Sequence, residues 1–243
     1  MAWPRFFAEQ LPASGGFVLD EDEARHASSV LRMTTNDECL AFDGRGGEAR
    51  CALTKVSKRA IELKVIERLD TNRELPKQIL MAVALPKGDR QKTLVDFLVQ
   101  VGVHSLQPLV TKRGVAQPVD AAIVRLRRSV IESSKQCGRN RLMCVLEPID
   151  LTELTFTSRS DGGLRLFAHP YGVVVPLSQL QTNVKSADRV TVVIGPEGGF
   201  TDEEASALRL AGWIAVSLGT RILRVEVAAT YIASWLAEAI SVS

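Results

Sequence analysis

From Gln78 onward, short apolar runs alternate with amphipathic ones, and this alternation constrains the fold more than any other feature of the chain. ILMAVALP (79–86), SLQPLVT (105–111), LRLFAHP (164–170), RVTVVIGP (189–196) and WIAVSLG (213–219) have the length and β-branched content of buried strands. DRQKTLVDFLVQVGV (89–103), a basic segment from about Ala121 to Cys137, DEEASALRLAG (202–212) and a segment from about Glu226 to Ile240 place apolar residues at helical spacing. Strands alternating with helices pair in parallel, because each crossover returns the chain to the same end of the sheet. Ligands in such sheets sit beyond the carboxyl ends of strands. Chemistry is therefore expected at LFAHPYG, VVIGPEGGF and VSLGTRILRVE.

Residues 1–70 have a different grain. GFVLD, ECLAFD, GEARCALTKV and AIELKVIERL are β-rich, and Asp43-Gly44-Arg45-Gly46-Gly47 is a hairpin-type turn. One helix is expected from Glu21 to Leu31, with Asp20 as its N-cap. Strands of this number and length suggest a small barrel. The polar stretch DTNRELPKQ, which contains Pro76, reads as a linker. The expected organisation is thus a β-barrel over 1–72 followed by an α/β domain with a parallel sheet over 76–243.

Composition narrows the class. Apolar residues make up 46% and charged residues 24% of 243, the profile of a globular protein with a proper core. No apolar run reaches the roughly 18–20 residues of a membrane span, and MAWPRFFAEQLP lacks the layout of a secretory signal. A cytoplasmic protein without a membrane partner is expected. Cys39, Cys51, Cys137 and Cys144 form no CxxC pair, and His26, His104 and His169 stand apart from them, so no metal site is expected. A net charge of +2 does not by itself declare a nucleic-acid binder. Arg125, Arg127, Arg128, Lys135, Arg139 and Arg141 do crowd together, which suits either a phosphate track or a solvated helix face.

The turn in VTVVIGPEGGFTDEEASAL is neither GxGxxG nor GxxxxGK[ST]. Thr201 and Glu204 are spaced as a capping box. Glu197, Asp202, Glu203 and Glu204 surround the helix start, where a phosphate would otherwise bind. A neutral or cationic cofactor is therefore preferred, and S-adenosylmethionine, with a sulfonium, an ammonium and no phosphate, meets that requirement. Gly195, Gly198 and Gly199 let the backbone approach a flat purine. A tight strand-to-helix turn with no ligand accounts equally for these residues.

IGPEGGF (194–200) followed by LGTRILRVEVAA (218–229) resembles the ribosomal-RNA uridine-N3 methyltransferase family of the knotted SPOUT superfamily. ALPKGDR (84–90), Gln136-Cys137-Gly138-Arg139, HASSVLRM (26–33) and Arg5-Phe6-Phe7 extend the resemblance over almost the whole chain. The resemblance implies a PUA-like barrel for RNA, an α/β domain tied in a trefoil knot, a homodimer, and the small ribosomal subunit with its 16S RNA as partner. It also implies a pocket for S-adenosylmethionine built from His169, Pro170, Ile194, Gly195, Glu197, Gly198 and Gly199 together with Leu218, Gly219, Ile222, Leu223 and Arg224. Three departures stand out. Phe97-Leu98-Val99-Gln100-Val101-Gly102-Val103 replaces a lysine and a glutamate of the family's K-A-T-E-L-G-V, Glu226-Val227-Ala228 loses the hydroxyl of E-T-A, and Lys135 stands where an acid is usual.

Removing the proton from uracil N3 calls for a base or for stabilisation of the developing anion. Glu226 is the candidate acid/base or orienting group, and Arg139 and Arg224 are candidates to stand near the anion or the RNA backbone. His169 is a further base candidate. Glu226 as a helix-start capping carboxylate, paired structurally with Arg224, is the plain alternative. RNA docking is expected on Arg5, Arg32, Arg128, Arg139 and Arg141. Rival readings are a knotted methyltransferase acting on another ribosomal or transfer-RNA base, and a non-catalytic RNA-binding relative. A nucleotide-phosphate enzyme is disfavoured by the acidic helix start.

Overall fold

Every strand pair in the C-terminal part of the chain is parallel, as the alternation requires. The computed structural model describes residues 3–57, 59–116, 118–157 and 163–241. Its contacts divide the chain into two units, one of residues 1–74 with 131–142 and one of 75–130 with 143–243.

The first unit is built on β1 (Arg5–Phe7), β2 (Gly16–Leu19), β3 (Glu38–Phe42), β4 (Glu48–Val56) and β5 (Ile61–Leu69), in the order β1-β3-β4-β5-β2. Alternation along the strands sends Cys39, Ala41, Cys51, Leu53, Ile61 and Leu63 inward with Phe6 and Leu19. Register shifts at Arg50/Cys51 and Leu53/Lys55 in β4 are the irregularities that let a sheet curl. β1 was not legible in the sequence. It has three residues and is held by parallel pairing with β3.

The helix expected over 21–31 is α-helical only in α1 (Glu21–Arg25), where Asp20 Oδ1 accepts from the Glu23 N–H at 2.8 Å. It widens into a π-helical turn over His26–Val30, with the Leu31 N–H donating to the His26 carbonyl and the Ser28 hydroxyl to the Ala24 carbonyl. A serine bonding back to its own helix competes with the regular ladder, and Arg32, at φ 55°, ends it.

Residues 131–142 close the unit by polar contacts. Arg139 Nε donates to Glu74 Oε1 at 2.8 Å, and Asn140 Nδ2 donates to the carbonyls of Thr71 and Gly46.

The second unit follows β6 (Gln78–Val83), α2 (Arg90–Gln100), β7 (Ser105–Val110), α3 (Asp120–Cys137, whose end from Ile131 belongs to the first unit), β8 (Cys144–Val145), β9 (Ile149–Asp150) and α4 (Leu151–Thr157). It continues through β10 (Leu164–Ala168), β11 (Val175–Pro176), α5 (Gln181–Ser186), β12 (Arg189–Ile194), α6 (Asp202–Leu210), β13 (Ile214–Ser217) and α7 (Val225–Ser241). The sheet order is β11-β13-β10-β12-β6-β7-β8, with β9 beside β7. Central β12 is buried from Val190 to Ile194 and therefore reads as a continuous apolar run. α7 buries Ala229, Ile232, Ala233 and Leu236, and packs against α2, α5 and β6. Among the described residues no helix is long and apolar enough to cross a membrane.

Candidate active site

β13, β10 and β12 are neighbours in the sheet, so the segments leaving their carboxyl ends converge. A cavity there is lined by His169, Pro170 and Tyr171 after β10, by Gly195–Phe200 after β12, and by Leu218, Gly219, Arg221, Ile222 and Leu223 after β13. Val225 and Ala228 of α7 and Ile194 complete its apolar wall. Of the residues the sequence placed in a cofactor pocket, all but Arg224 line this cavity. Arg224 is exposed in the segment just before α7.

Two glycines of the turn have a physical reason. A Cβ on Gly195 would come within 3.0 Å of the Phe200 ring, which is buried edge-on against Phe167. Gly199 adopts φ 67° and donates its N–H to the Pro196 carbonyl at 2.8 Å. Thr201 and Glu204 then form the expected capping box and start α6. Gly219, at φ 108°, turns the chain out of β13 beside the Ser217 hydroxyl.

Electrostatically the helix start is less isolated than its sequence implies. Lys112 and Arg113, from the segment after β7, reach it. The Lys112 N–H donates to Glu204 Oε1 at 2.9 Å, and its ammonium lies 3.8 Å from Glu203. Arg113 Nη1 donates to the carbonyls of Gly198 at 3.0 Å and Phe200 at 3.3 Å. Arg113 is engaged by these carbonyls while the Lys112 ammonium stays exposed, and the capping box occupies amides that would otherwise face an anion. The helix start therefore offers an anion few free amides, and the exposed cation on the cavity lining is Arg221. The cavity's apolar walls and glycine backbone suit a flat purine nucleoside, and the Glu197 carboxylate on its lining is ion-paired with Arg90. Burial, reinforced by Arg209 and opposed by Asp202, lowers the pKa of His169, which lines the cavity.

Glu226 sits in the first turn of α7 with its side chain 8% exposed, and its Oε2 has no hydrogen-bond partner. Arg90, at the start of α2, forms an ion pair with Glu197 at 2.8 Å and places Nη1 3.9 Å from Glu226 Oε2. The structure thus gathers Glu226, Glu197 and Arg90. Arg139, expected near the anion, belongs to the other unit, where its side chain is buried on Glu74. Sequence reasoning did not single out Arg90 or Arg113. ALPKGDR was the available signal for Arg90, and nothing local marked Arg113.

The departures from the family pattern fall partly on exposed and partly on buried positions. Phe97, Gln100 and Val227 are exposed while Leu98, Val99 and Ala228 are buried. Lys135 finds a carboxylate partner in Glu23. Among the residues expected to dock RNA, Arg32, Arg128 and Arg141 are exposed, whereas Arg5 is buried on Glu48. Among the described residues no group of three or more His, Cys, Asp or Glu is placed to hold a metal ion.

The family model of the RNA methyltransferase domain matches residues 73–237, and that of the RNA methyltransferase PUA domain matches 19–66. A relative named ribosomal RNA small subunit methyltransferase E, from Bacillus subtilis, is 28% identical over 93% of each chain. One of the same name from Aquifex aeolicus is 30% identical over 90% of this chain and 93% of its own. The crystal structure of ribosomal RNA small subunit methyltransferase E from Neisseria gonorrhoeae, bound to S-adenosyl methionine, superposes with a TM-score of 0.88 at 28% identity, covering 96% of both chains.

Proposed function

The chain belongs to the RNA methyltransferase family, and from that membership we propose that it is an S-adenosylmethionine-dependent enzyme that methylates N3 of a uridine in the 16S RNA of the small ribosomal subunit. The observation that carries this reading is a buried carboxylate oxygen on Glu226 with no hydrogen-bond partner, on a helix whose first turn lines the strand-end cavity.

The residues fit the cofactor's chemistry. The Gly195–Phe200 turn and the Leu218–Leu223 loop would hold the nucleoside against apolar walls, with the Arg90-paired Glu197 carboxylate beside them. The bound cofactor supplies a methyl group on a positively charged sulfur. Holding the reacting atoms in line supplies much of the rate in such a transfer.

Glu226 Oε2 accepts the proton that leaves uracil N3, as a positioned general base. Arg224, exposed before α7, offers its guanidinium to the developing uracil anion or to the RNA backbone. His169 shapes the wall beside the glycine turn, and its burial disfavours the charged form of the ring.

RNA docking falls to exposed Arg32, Arg128 and Arg141, while Arg5 holds buried Glu48 and Arg139 holds partly buried Glu74 within the N-terminal unit. We take residues 1–72 as the RNA-docking domain and 76–243 as the knotted catalytic domain. We place the enzyme in the cytoplasm with its ribosomal substrate, as a homodimer. Exposed Val227 and Tyr231 on α7 and Phe97 on α2 offer apolar surface to a second copy.

Labelled-methyl transfer tests the reading, with unmethylated small subunits, protein-free 16S RNA and transfer RNA as parallel substrates. Label at uridine N3 of the small-subunit RNA is the expected result. Label on transfer RNA alone, or none, overturns it.

A further inference from the structure

We infer that Arg90 is a positioning residue that supplies Glu226 with a countercharge while leaving its acceptor oxygen open, and so readies it to take the N3 proton. The inference rests on the proposed role of Glu226.

Three observations lead to it. Arg90 is half-buried at the start of α2, directly after the Pro86-Lys87-Gly88-Asp89 segment that leaves β6. One end of its guanidinium is tied to Glu197 in the glycine turn at 2.8 Å. The other end, Nη1, stands 3.9 Å from Glu226 Oε2, within ion-pair range but beyond hydrogen-bond length, and that oxygen is buried without a partner.

The 3.9 Å separation matters. A buried carboxylate with no cation nearby is costly, whereas one gripped by a bidentate guanidinium has its lone pairs engaged. Arg90 stands between these extremes, because Glu197 holds it just short of a hydrogen bond to Glu226. Charge is compensated and no hydrogen bond occupies the acceptor.

A planar fork can serve two carboxylates at once, and a lysine's single ammonium cannot do so with the same geometry. Since Glu197 also lines the cavity, the same side chain links the turn after β12 to the proton acceptor on α7. Arg90 thus acts through Glu226 and does not touch the reacting atoms.

The test is a double-mutant cycle on the full chain using R90M, E226Q and R90M/E226Q, with R90K as the conservative variant. Single-turnover transfer to unmethylated small subunits is measured at saturating S-adenosylmethionine, cofactor affinity by calorimetry, and folding by thermal unfolding. R90M is expected to slow transfer about tenfold or more while moving cofactor Kd less than about threefold, and R90K to recover part of the rate. R90M/E226Q should be no slower than E226Q, because residues acting as one unit are non-additive. If R90M does not fold at the assay temperature, the cycle is run with R90K and the same non-additivity is expected.

Multiplicative losses in the double variant overturn the inference. So does wild-type speed in R90M beside a slow E226Q, which leaves the role of Glu226 standing. Wild-type speed in E226Q removes that role and the inference together.

Discussion

Lys135 and Glu23 meet at 2.9 Å with side chains only 10% and 7% exposed. The pair joins the C-terminal end of α3 to α1 across 112 positions of sequence. Burial pushes the Glu23 carboxyl above its ordinary value of 4.5, and Lys135 works against that shift by hydrogen bond and by charge.

K135M should therefore destabilise the chain by about 3 kcal/mol at neutral pH, because it strands a buried carboxylate. With Lys135 gone, the folded value of Glu23 rises further above its unfolded one. A group raised in this sense keeps its stability below the unfolded value and loses it as pH climbs through the folded one. The deficit should be small near pH 4.5 and grow toward pH 8, and E23Q/K135M should show little of that dependence. Denaturant unfolding at several pH values checks this, and a deficit independent of pH would refute it.

Arg113 pins two carbonyls of the glycine turn. R113A should leave α6 capped by Thr201 and Glu204 but loosen the turn, weakening S-adenosylmethionine about tenfold, a loss of about 1.4 kcal/mol. Calorimetry gives the affinity. Unchanged binding would mean that the turn is rigid without this brace.

Gly219 has φ 108° and nothing within 4 Å of an added Cβ. G219A therefore meets backbone strain with no clash, about 1–2 kcal/mol. A lowered melting temperature and weaker cofactor binding are both expected. G88A makes a control, since Gly88 also has positive φ and open surroundings but lies outside the lining of the cavity.

R32A/R128A/R141A removes exposed cations and should flatten the salt dependence of RNA binding by about two to three in log–log slope, with cofactor affinity unchanged. A slope equal to wild type would reassign RNA docking to other residues.

Much of this site was legible because its physics is local. Parallel strands put chemistry at their carboxyl ends, and the Thr201–Glu204 spacing foretold the cap that starts α6. β1, β8, β9 and β11 escaped notice because two or three residues carry no readable period and are held by their neighbours. Arg113 and Lys112 stand 85 and 92 positions from their partners Gly198 and Glu204, so no spacing rule could pair them. Residues 131–142 group with the first unit for the same reason, through Glu23, Glu74 and Thr71. The widened turn after Arg25 turned on the Ser28 hydroxyl, whose bond to Ala24 is a choice that periodicity does not register.

A competition titration bears most directly on the central claim, that the strand-end cavity accepts a positively charged nucleoside and lacks a phosphate cradle. S-adenosylmethionine should bind at micromolar concentration or tighter with one site per chain, and millimolar ATP should fail to displace it. Displacement by ATP, or binding of ATP with the methyl donor excluded, would contradict that claim.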